Sequence, residues 1–161
     1  MNIENIPVVI FCGGEGTRMR GGTLTKKELV EIGGRPIIWH VMRIYSTYGF
    51  RKFVLPLGYE AAQLRRYFLD YEAMTRDFTV RLGDRAGQID FRGPEQHPEW
   101  EVSLVDTGLR TDKASRIARV ADYLTADRFC VTYGDGVGNV DLHALMAFHR
   151  AHGKPVTITA V

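Results

Sequence analysis

Val8-Val9-Ile10-Phe11-Cys12-Gly13-Gly14-Glu15-Gly16-Thr17-Arg18-Met19 is the stretch that decides the fold. Residues 6–12 form an apolar, largely β-branched run of strand length, which reads as a strand buried on both faces. A glycine-rich loop follows directly. In open α/β sheets, ligands bind beyond the carboxyl ends of strands. Glycines at such a place let backbone N–H groups approach phosphate oxygens with no side chain in the way. Arg18 would add a fixed positive charge with bidentate geometry.

Working outward, short apolar runs alternate with helical periodicity. Pro36 suits the first turn of a helix, and Ile37, Ile38, Val41, Met42 and Tyr45 keep one apolar face until Gly49. Residues 52–57 read as a second strand. Leu64, Tyr67, Phe68 and Tyr71 form a helical stripe better suited to core packing than to binding. Residues 78–82 and 88–92 suggest a hairpin, and 101–105 a further strand. Ile117, Val120, Ala121 and Leu124 mark a third helix. Residues 128–133 read as a strand leading into Gly134-Asp135-Gly136. Asp141 is placed to cap a fourth helix, with face Leu142, Leu145, Met146 and His149, which Gly153 and Pro155 stop. Residues 156–161 look like the start of another strand, which suggests that the natural chain continues. The alternation argues one α/β domain over residues 1–161: a Rossmann-like, mainly parallel sheet with helices on both faces.

Composition sets bounds on function. The chain has 161 residues, enough for one domain with a core, and a net charge of only +2. That charge is too small to argue for nucleic acid or a membrane surface as the main partner. No apolar run approaches the roughly 18–20 residues of a membrane span, and the N-terminus does not resemble a signal peptide. Cys12 and Cys130 lie inside apolar runs and form no CxxC, so they read as reduced core thiols of a cytoplasmic protein. His40, His97, His143, His149 and His152 show no metal-ligand spacing and read as surface or packing residues.

Two better-known phosphate loops fail on the glycine-rich segment. The GxGxxG fingerprint would start at Gly14 and Gly16, but Met19 stands at its third glycine. A Walker loop could use Gly16 and Gly21, but Gly22 stands where its lysine belongs. Taken alone, the loop could also be a structural turn.

It is not alone. Gly13-Gly14-Glu15-Gly16-Thr17-Arg18 resembles the signature of the sugar-1-phosphate nucleotidyltransferase family. The resemblance continues through KKELVEIGGRPI, WHVMRIYSTYG, LGYEAAQLRRYF, VSLVDTG, RVADYL, TYGDGV and FHRAHGK, covering nearly the whole chain in order. It is nearest to the glucose-1-phosphate cytidylyltransferase branch and corresponds to about the first two thirds of a family member. It implies the nucleotide-diphospho-sugar transferase fold, and transfer of a nucleotidyl group from an NTP, with CTP favoured, to a sugar 1-phosphate. Partners implied are therefore small molecules, and a homo-oligomer is compatible with the family.

By the motif match, Phe11, Cys12, Gly13, Gly14, Glu15, Gly16 and Thr17 would hold the nucleotide, with Thr111 and Arg116 near the base and ribose. Arg18 and Lys27 would be catalytic, clamping and bridging the phosphates. Asp135 would be the ligand for Mg2+, although Asp-Gly is also a common turn pair. Two departures stand out. The branch carries Lys-Pro-Lys-Pro where this chain has Thr25-Lys26-Lys27-Glu28, which leaves open whether Lys26 or Lys27 takes the lysine's role. Its Gly-Gly before the base-loop arginine is Ala114-Ser115 here, so another NTP, another sugar or polyol phosphate, or a non-catalytic nucleotide binder stays open. The second metal-binding aspartate of the family and most sugar contacts belong to the C-terminal portion, outside these residues.

Overall fold

The computed structural model describes residues 2–14, 26–83, 87–93 and 99–160. Four parallel strands form the central sheet: β1 (Val8–Phe11), β4 (Lys52–Leu57), β7 (Glu101–Asp106) and β8 (Cys130–Tyr133), in the order β7-β4-β1-β8. β1 and β4 are central, which is why their sequences are apolar on both faces. Val8, Val9 and Ile10 are fully buried, and so are Leu55 and Leu57. The register sets Val8 beside both Phe53 and Cys130. Cys12 extends β1 by one bridge to Leu57.

Side-chain alternation along the strands sorts the core into two layers. Val8, Ile10, Cys12, Phe53, Leu55 and Leu57 point to a face covered by α1 (Ile37–Thr47), α2 (Ala61–Leu69) and α5 (Leu142–His152). Val9 and Val54 point to the other face, where Val120 closes a smaller cluster after α4 (Lys113–Arg119). Helices thus lie on both faces of a parallel sheet, as expected from the alternation of elements.

Local chemistry accounts for the helix ends. Pro36, at φ −67° and ψ 154°, precedes α1. Asp141 caps α5 by accepting from the Ala144 N–H at 3.0 Å, and Gly153 ends it at φ +61°. Asp112 caps α4 by accepting from the Ser115 N–H and hydroxyl. Two short antiparallel pairs lie outside the main sheet: β2 (Glu31–Ile32) with β3 (Arg35–Pro36), and the hairpin β5 (Asp77–Arg81) with β6 (Gln88–Arg92).

Three details differ from the sequence reading. The helix expected to run through Tyr71 breaks at Asp70, and a short α3 (Tyr71–Thr75) follows. This pivot lets the Tyr71 hydroxyl accept from the Trp39 indole at 2.8 Å. The third helix ends at Arg119, and its apolar stripe continues through a 3-10 turn at Ala121–Tyr123. Over residues 156–160 no strand forms; the Thr157 hydroxyl instead bonds His149 Nδ1 and His152 Nε2 on α5, at 2.8 and 2.7 Å.

Candidate functional site

The order β7-β4-β1-β8 fixes the place of the site. Chain progress along the sheet runs outward from β1 to β4 to β7, then returns to add β8 on the other side of β1. The strand order therefore reverses between β1 and β8, and the crevice beyond their carboxyl ends is where doubly wound sheets bind ligands. From β1 this crevice receives Phe11, Cys12, Gly13 and Gly14; from β8 it receives Gly134 and Asp135. Glu15, Gly16, Thr17 and Arg18 lie outside the described residues.

The two ends approach closely. The Gly134 N–H donates to the Phe11 carbonyl at 3.2 Å. A methyl group on Gly134 would fall 2.9 Å from Cys12 Sγ and 3.0 Å from Glu28 Cγ, so glycine is required there by space. Cys12 has no exposed surface. Its thiol is pushed well above the ordinary range by burial first, then by Glu28. Only its main chain can meet a ligand. Gly14 is exposed, with open space where a side chain would be.

Lys27 and Asp135, far apart in sequence, meet at this crevice, with Nζ 3.7 Å from Oδ2 and both side chains partly exposed. A solvated pair of this kind contributes at most about 1 kcal/mol to stability, so stability does not explain the arrangement. Lys26 behaves differently. It is buried, its Nζ donates to the Tyr59 carbonyl at 2.9 Å and lies 3.6 Å from Glu28 Oε2, and its N–H donates to Gln63 Oε1. Of the two candidate lysines, Lys27 is the one that faces Asp135.

Arg116 is buried beside Gly13. Nη1 donates to the Leu57 carbonyl and the Thr107 hydroxyl, at 2.8 and 2.6 Å. Nη2 donates to the carbonyls of Gly13 and Leu109, both at 3.2 Å. These four bonds use every Nη hydrogen, and they tie the ends of β1, β4 and β7 together. None of the four acceptors carries a charge. Burial, and next the nearby Arg119, push this guanidinium below its ordinary value, and among the described residues no carboxylate is bonded to it. Thr111 is tied by hydrogen bonds to the Thr107 carbonyl and to Arg119.

Sequence reasoning assigned no role to Glu28, Gln63, Lys113 or Tyr133. Lys113 Nζ donates to the Tyr133 hydroxyl at 2.7 Å, and the Tyr133 ring lies 6.0 Å from that of Phe11. This places a cation and an exposed aromatic ring on the rim of the crevice. The substitution of the family's proline by Glu28 was the visible signal for the Lys26–Glu28 pair.

Asp135 offers one hard carboxylate at the crevice, and no cluster of three or more metal-ligating side chains occurs among the described residues. One exposed carboxylate fits a Mg2+ ion whose other ligands are phosphate oxygens and water, the usual mode for that ion.

Fold and crevice together define a doubly wound α/β domain with Lys27 and Asp135 at its switch point. Residues 8–159 match the family model of the MobA-like NTP transferase domain, and the chain belongs to that family. It is 40% identical over 154 residues to a probable glucose-1-phosphate cytidylyltransferase of Bacillus subtilis, covering 95% of this chain and 59% of the relative. Identity to the glucose-1-phosphate cytidylyltransferase of Salmonella typhimurium is 41%, covering 94% of this chain and 59% of the relative. The mannose-1-phosphate guanylyltransferase of Mycobacterium tuberculosis is more distant, 28% identical over all of this chain and 38% of its own length. Among solved structures, HddC from Yersinia pseudotuberculosis complexed with GMP-PN aligns with TM-score 0.65 at 19% identity, over 89% of this chain and 54% of that one. The chain thus spans about 59% of the length of the cytidylyltransferases it matches.

Proposed function

We propose that this chain is the nucleotide-binding part of an enzyme that transfers CMP from CTP to a sugar 1-phosphate, releasing pyrophosphate. Residues 1–161 form its nucleotide-binding unit. The observation that carries the reading is the meeting of Lys27 and Asp135 at the β1/β8 switch point. Support comes from the cytidylyltransferases, which are 40% and 41% identical to this chain.

In the reaction, an oxygen of the sugar phosphate forms a bond to the α-phosphorus of CTP. The bond from that phosphorus to the bridging oxygen breaks, and pyrophosphate leaves with its electron pair. Such transfers depend on positioning and charge neutralisation more than on covalent chemistry by the protein. Lys27 would bridge the reacting phosphates. By the motif match, main-chain N–H groups from Gly13 onward would meet the triphosphate and Gly16, Thr17 and Arg18 would complete the clamp, while the buried charge of Arg116 beside Gly13 would favour an anion there. Asp135 would hold Mg2+, which when bound neutralises phosphate charge.

The test is isothermal titration with CTP, UTP, dTTP, ATP and GTP in the presence of Mg2+. Saturable binding with CTP preferred is expected, weakened at least tenfold by Asp135→Ala and by Lys27→Ala. GTP is included because a 28% identical relative is a guanylyltransferase. Preference for it would keep the mechanism and change the base. Absence of binding by any of the five would overturn the reading for this chain.

A further inference from the structure

We infer that the buried Lys26–Glu28 pair is a positioning device that holds Lys27 against Asp135. The inference rests on the proposed reading of Lys27 and Asp135 for its function, but on geometry alone for its structural content.

Lys27 opens a 3-10 turn (Lys27–Leu29), closed by the Leu29 N–H to the Lys26 carbonyl and the Val30 N–H to the Lys27 carbonyl. So short a turn has few internal bonds and does not define its own orientation. Its flanking side chains supply the orientation. Lys26 and Glu28 are both turned inward, with 2% and 9% of their side-chain surfaces exposed, while Lys27 between them retains 27%.

Each inward residue is fixed to a different part of the site. Lys26 reaches the segment between β4 and α2 twice, through its main-chain N–H on Gln63 and its Nζ on the Tyr59 carbonyl. The stem of Glu28 packs against Gly134, with Cγ 3.0 Å from where a methyl group there would be, directly before Asp135. The ion pair closes the circuit between the two anchors. Moving the main chain of Lys27 away from Asp135 therefore requires breaking a bond to Tyr59, a bond to Gln63 or the packing at Gly134.

A buried pair is a poor way to gain stability, since desolvating both charges offsets most of their attraction, and an apolar pair of similar size often serves as well. That property supplies the test, because stability and aim can be separated. The variant Lys26→Met/Glu28→Leu removes both charges together and leaves neither unpaired. Lys27 amine exposure is read by limited acylation with a small amine-reactive reagent and peptide mass spectrometry. Thermal melting of each variant is measured beside it.

The expected result is that the double variant melts within a few degrees of wild type, yet its Lys27 is acylated several-fold faster, approaching the rate in Asp135→Ala. CTP–Mg2+ titration adds a coupling readout. Lys27→Ala should weaken binding about tenfold in the wild-type background and less than twofold in the double variant. Wild-type Lys27 acylation in a stable double variant would overturn the inference. If the double variant itself melts early, Glu28→Gln, which keeps size and shape, replaces it under the same criterion. Should acylation change as expected while wild type binds no NTP, the positioning inference stands and the functional reading of the site fails.

Discussion

At the scale of single residues, Arg116 and Gly13 depend on each other. A methyl group on Gly13 would collide with the guanidinium, only 2.5 Å from Nη1 and 2.8 Å from Nε. A flexible arginine could swing aside, but this one is held by four bonds. Gly13→Ala should therefore destabilise the fold by about 1–3 kcal/mol, the usual cost of overpacking, seen as a lower urea midpoint with unchanged slope. Combined with Arg116→Met, the same change should cost much less than it does alone, because the obstructing group is gone. Fully additive costs would mean that the guanidinium does not set the loop. The sequence singled out both residues, through the motif, but not their contact. Charged side chains are rarely fully buried, and nothing in the local pattern around Arg116 marks it as an exception. The motif match favoured Lys27 over Lys26, but the opposite directions of the two side chains were not legible, because they arise from partners at Tyr59, Gln63 and Gly134.

At the scale of elements, β1 and β8 enclose the two thiols. Burial raises Cys130 from 9 to about 11, and Cys12 rises well above its ordinary value. Both folded values lie above those of the unfolded chain. Between pH 9 and 11 the unfolded state releases these protons while the folded state keeps them, so stability is full below pH 9 and is lost as pH rises through the folded values. Cys130 contributes a decline of about 1.4 kcal/mol per pH unit in that window, and Cys12 adds to it in the same direction. Urea unfolding at pH 8 and pH 10 measures it, and Cys130→Ala should make the decline shallower. At pH 8 neither thiol should react quickly with a disulfide reagent until urea is added. The second strand was legible to its boundaries, since Lys52–Leu57 is an apolar run stopped by Gly58. Helix α5 was equally plain from its cap and its apolar face. The break at Asp70 was not, because the apolar stripe passes through it unbroken. Residues 156–160 misled because a β-branched run shows strand propensity but not whether a partner edge is engaged.

Across the whole molecule, burial is uneven. β1 and β4 are covered on both faces and flanked by neighbours, whereas every residue of β5 is exposed, and in β6 only Phe91 is partly covered. A two-stranded ribbon with so little cover is marginally stable by itself. Hydrogen exchange should accordingly be slowest in β1 and β4 and orders of magnitude faster in β5 and β6. Equal protection throughout would show that the ribbon is covered in solution. The architecture was readable at this scale from the alternation of strands and helices. The strand order was not, because it depends on which edge each new strand joins, and side-chain patterning alone leaves that open.

That order has a consequence in time. Val8 leaves the ribosome well before its register partner Cys130, which emerges only after β4 and β7 have been made. Closing so long a loop is an entropic cost that must be met before the last parallel pairing is rewarded. The crevice between β1 and β8 cannot exist on a nascent chain that has reached only β7, however well folded that portion is. A ligand that bridges the two strands therefore discriminates a finished domain from an unfinished one, and its capture would mark the moment at which synthesis of this part of the chain has succeeded.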